Sequence, residues 1–154
     1  EVTEEQHKSL VFSQWTSFLV LIEKELKCIG IKTYRLDGST RNREQIVSSY
    51  NNDEDACVFL LSLKAGGVGL NLTSADHVFL MDPWWNPATE RQAIDRAHRI
   101  GQQNPVMIHR LVGKNTIEEK VVKLQKIKEE MSNMILEDMD SVAISKGDFL
   151  ELLD

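Results

Sequence analysis

Residues 56–62 read ACVFLLS, which is the most apolar strand-like stretch of the chain. Its apolar residues are nearly continuous and do not alternate with polar ones. This pattern is typical of a central strand in a parallel sheet that is covered on both faces. Helical patterns separate it from its neighbours, so we predict an α/β fold, a parallel sheet of five or more strands with helices on both faces.

The flanking sequence supplies the other elements of this fold. Further strands are predicted at 8–13, 32–36, 77–81 and 106–112. Gly30 is placed to end the first helix, and Asn86 followed by Pro87 marks the start of a later one. The TIEE segment at 116–119 is a capping box that begins a long amphipathic helix.

Composition and charge limit the classes of protein to consider. The 154 residues suit one domain, and we expect an intracellular protein with no membrane partner, because no apolar run is long enough to span a bilayer. The net charge of −6 arises from the end of the chain, because residues 1–129 hold equal numbers of charges, 17 basic and 17 acidic residues. Cys28 and Cys57 are expected to be buried thiols, and the four scattered histidines predict no metal site.

Ligands bind beyond the carboxyl ends of strands in open parallel sheets, so the loops after the strands are the candidate site. The SLKAGGVG loop at 62–69 contains glycines, which would let backbone N–H groups turn inward and bind an anion. A tight connection between a strand and a helix would explain these glycines equally well. Trp84 and Trp85 suit base stacking, but we expect at least one to be buried. Arg41 and Arg43 either grip a phosphate or occupy a solvated helix start.

The QAIDRAHRIGQ stretch at 92–102 is a second candidate site. Read as a helix, it places Gln92, Arg96 and Arg99 on one face. Like charges so close together indicate an anionic partner such as a phosphate. The alternative is a solvated face with Asp95 and Glu90 as local counter-ions.

Taken together, several segments resemble the C-terminal helicase lobe of Swi/Snf-type ATPases. The matching segments are LVFSQW (10–15), YRLDGST (34–40), SLKAGGVGLNLTSADHVFLMDPWWNP (62–87), ERQAIDRAHRIGQ (90–102) and TIEEK (116–120). The resemblance implies a RecA-like lobe over residues 1–136, followed by an acidic extension at 137–154 that we expect to be partly disordered. The short spacing from Thr40 to Arg43 resembles bacterial members, so the expected location is the bacterial nucleoid, or otherwise the nucleus.

The resemblance also implies roles for individual residues. ATP would lie between two lobes, with Mg²⁺ held by an N-terminal RecA-like lobe, and Arg96 and Arg99 would be arginine fingers supported by Gln92, Gly67 and Gly69. The lobe would line a groove for double-stranded DNA through a set of polar, basic and aromatic residues. These are Gln14, Trp15, Arg41, Arg43, Ser62, Lys64 and Trp85.

Two functions follow from these observations. The chain has no Walker A motif and no acid pair of the DEAH type, so we expect it to be one lobe of an ATP-dependent DNA translocase or remodeller and to be inactive alone. The alternative is a non-catalytic nucleic-acid or protein binding module with the same fold. A flavodoxin-like protein is disfavoured because SQW, after the first strand, offers no glycine.

Overall fold

The computed structural model describes residues 7–63, 70–97 and 105–137, with side chains described up to residue 131. The strands in these ranges are β1 (Ser9–Ser13), β2 (Lys32–Leu36), β3 (Cys57–Ser62), β4 (His77–Leu80) and β5 (Met107–Arg110). The helices are α1 (Thr16–Cys28), α2 (Arg43–Asn51), α3 (Pro87–Ile94) and α4 (Ile117–Glu137). None of these helices is both long and apolar enough to cross a membrane.

The five described strands form one sheet in the order β2-β3-β1-β4-β5, and every neighbouring pair is parallel. β3 lies between β2 and β1, and all of its residues are buried. The continuous apolar stretch at 56–62 is therefore the inner strand that its composition predicts. The predicted parallel α/β sheet is confirmed.

Helices cover both faces of the sheet. Val58 and Leu60 of β3 pack in one apolar cluster with Leu19 of α1. Phe59, which alternates with them along the strand, packs in a larger cluster with Tyr50 of α2 and with α3. The core therefore has two layers divided by the sheet, as predicted.

The helices α3 and α4 begin at the capping residues that the sequence predicts, Asn86 and Thr116. Asn86 begins α3, and its side-chain oxygen accepts a hydrogen bond from the Ala88 N–H at 3.0 Å. Thr116 caps α4 by accepting from the Glu118 N–H at 3.2 Å. The carboxylate of Glu118 makes a different bond, because it accepts from the N–H of Gly113, three residues before the cap, at 2.6 Å.

α3 is shorter than the sequence predicts. It ends at Ile94, whereas the helical pattern continues through 92–102. The Arg96 N–H bonds to the Ala93 carbonyl at 3.2 Å, and the Ala97 N–H bonds to the Ile94 carbonyl at 3.0 Å. These bonds span three residues each, so the chain tightens into a turn there. The prediction that Arg96 lies on the helix is wrong.

The far end of the chain is only partly described. α4 extends to Glu137, one residue beyond the predicted lobe boundary at 136. Residues 138–154 lie outside the described ranges. The acidic extension at 137–154 thus remains a prediction.

An ion pair fastens the edge strand β2 to the loop after α2. The carboxylate of Asp53 lies 2.7 Å from Lys32 Nζ and accepts a hydrogen bond of 2.7 Å from the Tyr34 hydroxyl. Only 5% of the Asp53 side chain is exposed. The hydrogen bonds from Lys32 and Tyr34 lower the pKa of Asp53 from 3.8 to about 2.

Replacing Asp53 with asparagine should flatten the acid dependence of stability. Because the folded-state pKa is lowered, the carboxylate contributes stability above its unfolded pKa and loses that contribution as pH falls towards about 2. Urea unfolding between about pH 5 and pH 2 should therefore show a smaller loss of unfolding free energy in Asp53→Asn than in the wild type. The exposed Asp55→Asn is the control, and identical pH slopes in Asp53→Asn and wild type would refute the assignment.

Candidate functional site

The loops that follow β2, β3, β1 and β4 leave the same edge of the sheet, because these four neighbouring strands are parallel. Most of the predicted DNA-binding residues lie in these loops or at the strand ends. Gln14 and Trp15 follow β1, and Trp85 follows β4. The fold thus gathers at its carboxyl edge residues that are far apart in the sequence.

A buried polar contact joins the loops after β1 and β4. The Ser13 hydroxyl donates to the carboxylate of Asp82, and both side chains are buried. Asp82 also accepts from the Gln14 N–H at 3.0 Å, while the Trp15 N–H donates to Ser13 Oγ at 3.0 Å. These bonds fix the backbone that carries Trp15, whose side chain is 60% exposed.

The two tryptophans after β4 have different environments. Trp84 is half-buried and packs against the larger core cluster, whereas Trp85 is 56% exposed. Trp84 therefore packs against the core as expected for one of the pair, but it is only partly buried. The exposed ring of Trp85 is an aromatic surface available to a partner. It follows β4, next to the strand β1 that Trp15 follows.

A network around Glu90 holds this tryptophan loop in place. Glu90 is 1% exposed, and its carboxylate accepts from the Trp84 N–H and from Gln125 Nε2, each at 2.7 Å. The second oxygen of the Glu90 carboxylate lies 2.7 Å from Nη2 of Arg110 in β5. Gln125 of α4 also donates to the Trp84 carbonyl. The network connects α3, α4 and β5 to the loop.

The sequence interpretation of Glu90 as a solvated counter-ion is wrong. A carboxylate in a helix with polar neighbours is usually on the surface, so the sequence gives no sign of burial. Its position four residues after Asn86 places it in the first turns of α3, directly beneath the loop. Asp95, the other proposed counter-ion, is exposed as expected.

The DGST loop after β2 is a self-contained turn. Asp37 accepts from the Ser39 N–H at 2.9 Å, and its own N–H donates to Thr40 Oγ1 at 3.0 Å. The hydrogen bonds from the Ser39 side chain and backbone lower the pKa of Asp37. Arg43 Nε donates to the Thr40 carbonyl at 3.3 Å, and Arg41 is exposed beside it.

Arg96 and Gln92 do not share an exposed face. Gln92 is exposed on α3 and lines a shallow depression. Arg96 is 7% exposed, and its carbonyl accepts from the N–H of Leu72, a core residue, at 3.2 Å. The expected alignment on one helical face fails because the helix ends before Arg96.

Several predicted site residues are buried or undescribed. Ser62 ends β3 and is 3% exposed, so it does not present its hydroxyl at the surface. The remaining candidates lie outside the described residues: Lys64, Gly67, Gly69 and Arg99.

One cysteine and the arrangement of the histidines differ from what the sequence predicts. Cys57 is buried, and burial raises its pKa to about 11, but Cys28 is exposed at the end of α1, contrary to the prediction. The histidines are not all scattered: His77, at the amino end of β4, contacts both His7 and His109.

Comparison with known proteins now defines the class. Residues 1–101 match the family described as helicase conserved C-terminal domain, and the chain belongs to that family. The fold is RecA-like. The solved structure entitled "Crystal structure of the C-terminal part of Fun30 ATPase domain" superimposes with a TM-score of 0.77 at 42% identity, over 80% of this chain and 41% of that one.

Two relatives sharpen this assignment. The chain is 52% identical over 126 residues to "DNA repair protein RAD5B" of Arabidopsis thaliana, a match that covers 80% of the chain and 10% of the relative. It is 45% identical over 141 residues to "ATP-dependent helicase rhp16" of Schizosaccharomyces pombe, covering 90% of the chain and 16% of the relative. The resemblance to Swi/Snf-type lobes is confirmed. These relatives are eukaryotic, so the bacterial resemblance inferred from the short spacing before Arg43 is unsupported.

Truncating Glu90 should loosen the tryptophan loop. Glu90→Ala leaves the Trp84 N–H without its acceptor and removes one of the two acceptors of Gln125 Nε2, which should lower the unfolding free energy by about 3 kcal/mol. Urea unfolding measures this loss, and acrylamide quenching of tryptophan fluorescence should increase. Glu44→Ala, an exposed glutamate in the first turn of α2, is the control and should change stability by less than about 0.5 kcal/mol. Equal stability of the two variants would contradict the role of the network.

Proposed function

We propose that this chain acts as the second motor lobe of an ATP-dependent translocase on double-stranded DNA. The observation that carries the proposal is the collection of exposed aromatic and basic residues at one sheet edge in a chain of the helicase C-terminal family. The chain spans 10% and 16% of the two relatives described above, so the activity of a complete motor is part of the proposal. The eukaryotic relatives favour a nuclear protein.

ATP would bind between this lobe and an N-terminal RecA-like lobe. Arg96 and Arg99 would act as arginine fingers, with Gln92, Gly67 and Gly69 supporting the same site. A guanidinium directed at the γ-phosphate stabilises the negative charge that develops during phosphoryl transfer. Because Arg96 is largely buried, its guanidinium would be held by surrounding protein before the nucleotide arrives, which limits the entropy lost on binding.

The other lobe would supply the Mg²⁺ ligands. The two carboxylates that follow β2 and β4 already accept hydrogen bonds within this lobe, Asp37 from Ser39 and Asp82 from Gln14. They hold loops in shape and are not arranged as an open pair. A composite site in which the first lobe binds ATP and Mg²⁺ is consistent with this arrangement.

The DNA groove would run along the carboxyl edge. Trp15 and Trp85 offer exposed apolar surfaces, and Arg41, Arg43 and Lys64 would neutralise phosphates. Contacts of this kind are independent of base sequence and sensitive to salt. Ser62 is buried, so its hydroxyl is not part of the exposed surface that this groove would use.

The alternative is a non-catalytic binding module in which the arginines hold an anion and the edge binds nucleic acid or protein. The buried position of Arg96 favours this alternative, because a buried guanidinium can also serve to stabilise the fold. Activity measurements separate the two functions.

ATP turnover should require both lobes. The 154-residue chain alone should show no DNA-stimulated hydrolysis, whereas a protein joining it to an N-terminal RecA-like lobe should hydrolyse ATP. In that protein Arg96→Ala should lower kcat by about 10³-fold or more while DNA affinity is retained. Arg91→Ala, an exposed arginine on α3, is the matched control. Turnover by the chain alone, or an unchanged kcat in Arg96→Ala, would contradict the composite site.

DNA binding should depend on salt through the residues of the carboxyl edge. Arg41→Ala should weaken binding of the chain to duplexes of different sequence by the same factor and reduce the slope of log K against log salt by about 0.9. Fluorescence anisotropy at several salt concentrations measures both quantities. Lys24→Ala removes an exposed cation from α1 and should leave the slope unchanged. A slope reduced equally by both variants would show that the edge is not the binding surface.

A further inference from the structure

Three of the four histidines meet around the amino end of β4, opposite the loops considered so far. His7 precedes β1, His77 begins β4, and His109 lies in β5. The strands β1, β4 and β5 are neighbours, and their register pairs Ser9 with His77. The fold therefore brings together imidazoles from three separate segments of the chain.

The contacts within this cluster involve one carboxylate as well. His7 Nδ1 contacts the carboxylate of Asp76. The rings of His7 and His77 have centroids 4.9 Å apart, and His77 Nδ1 lies 3.1 Å from His109 Nε2. One donor atom from each of His7, Asp76 and His77 lies within 4.8 Å of the other two. We call these three residues and His109 the histidine cluster.

We propose that the histidine cluster binds a divalent transition metal ion of the Zn²⁺ class. His7, Asp76 and His77 would be its protein ligands, and His109 would hold the ring of His77 in orientation. Imidazole nitrogen and carboxylate oxygen are the donors that Zn²⁺ prefers besides thiolate. A hydrogen-bonded partner behind a ligating histidine is a common feature of such sites.

The spacing of the donors suits this ion. Tetrahedral bonds of about 2.0 Å place zinc ligands roughly 3.3 Å apart, so donors within 4.8 Å reach these positions by small side-chain rotations. An independent observation also points to a ligand: Asp76 Oδ1 is buried and has no hydrogen-bond partner among the described residues. A buried carboxylate oxygen is costly without a partner, and a metal ion would supply one.

The backbone of the site is held by the sheet. The N–H groups of Asp76 and His77 both donate to the Lys8 carbonyl, at 3.2 and 3.3 Å. The Met107 N–H donates to the Asp76 carbonyl at 2.7 Å. The cationic side chain of Lys8 turns away from the cluster and donates to the carbonyls of α2, including that of Tyr50 at 3.0 Å. The neighbouring lysine therefore does not place its charge in the site.

The site is accessible to an ion in solution. The side chain of His7 is 33% exposed and that of Asp76 is 20% exposed, while His77 is 8% exposed and forms the inner wall. A bound ion would connect the segment before β1 to β4 and, through His109, to β5. This inference does not depend on the proposed motor function, since the cluster and the carboxyl-edge loops lie at opposite edges of the sheet.

Zinc titration of the 154-residue chain tests the proposal. Competition with a chromophoric chelator should give one Zn²⁺ per chain, and saturating Zn²⁺ should raise Tm by about 5 °C. In NMR spectra of the wild type, the imidazole resonances of His7 and His77 should shift on zinc addition. The spectra require no substitution, so they decide the question even if a variant fails to fold.

Variants assign the ligands. Asp76→Asn and His7→Ala should each weaken zinc binding at least about tenfold, and His109→Gln should weaken it by a smaller factor. Asp55→Asn makes the same chemical change near the start of β3, and Cys28→Ser removes the exposed thiol; both should bind as the wild type does. Absence of stoichiometric binding, equal affinity in Asp76→Asn and Asp55→Asn, or loss of binding in Cys28→Ser would overturn the proposal.

Discussion

The burial of β3 on both faces is the constraint on which the rest of the structure depends. Its apolar side chains must be covered by α1 on one side and by α2 and α3 on the other, so the chain has to cross the sheet between strands. Crossovers of this kind make neighbouring strands parallel. Parallel strands in turn send every strand-to-helix loop to one edge and every returning segment to the other. The candidate DNA surface and the histidine cluster occupy these two edges.

Polar contacts then give the carboxyl-edge loops their shape. The bond between Ser13 and Asp82 couples the loops after β1 and β4, and Glu90 with Gln125 couples the second loop to α4. Breaking these buried hydrogen bonds would leave polar groups without partners away from water, so the bonds favour one arrangement of the loops. Trp15 and Trp85 are therefore exposed on backbones that the protein interior fixes, which is the arrangement expected of a preformed binding surface.

Sequence patterns predict the parts of this protein that depend on local physics. The apolar run of β3, the Asn86 cap and the positive φ of Gly30 at the end of α1 all follow from residue type. The end of α3 does not, since Ala93, Ala97 and Ile100 continue the helical period past the point where the chain turns. The burial of Glu90 depends on partners from α4 and β5, which no local pattern encodes. The meeting of His7, His77 and His109 depends on strand order, which spacing alone does not give.

The proposed motor function requires the carboxyl edge to be the surface that binds DNA. The most direct test is a ¹⁵N NMR titration of the chain with a short duplex at low salt. The backbone amides of Gln14, Gly38 and Ser39 and the indoles of Trp15 and Trp85 should shift. The amides of Lys32, Asp55 and Cys57, at the amino ends of β2 and β3, should not. Shifts confined to the amino edge, or no shifts in the carboxyl-edge loops at concentrations that saturate binding, would contradict it.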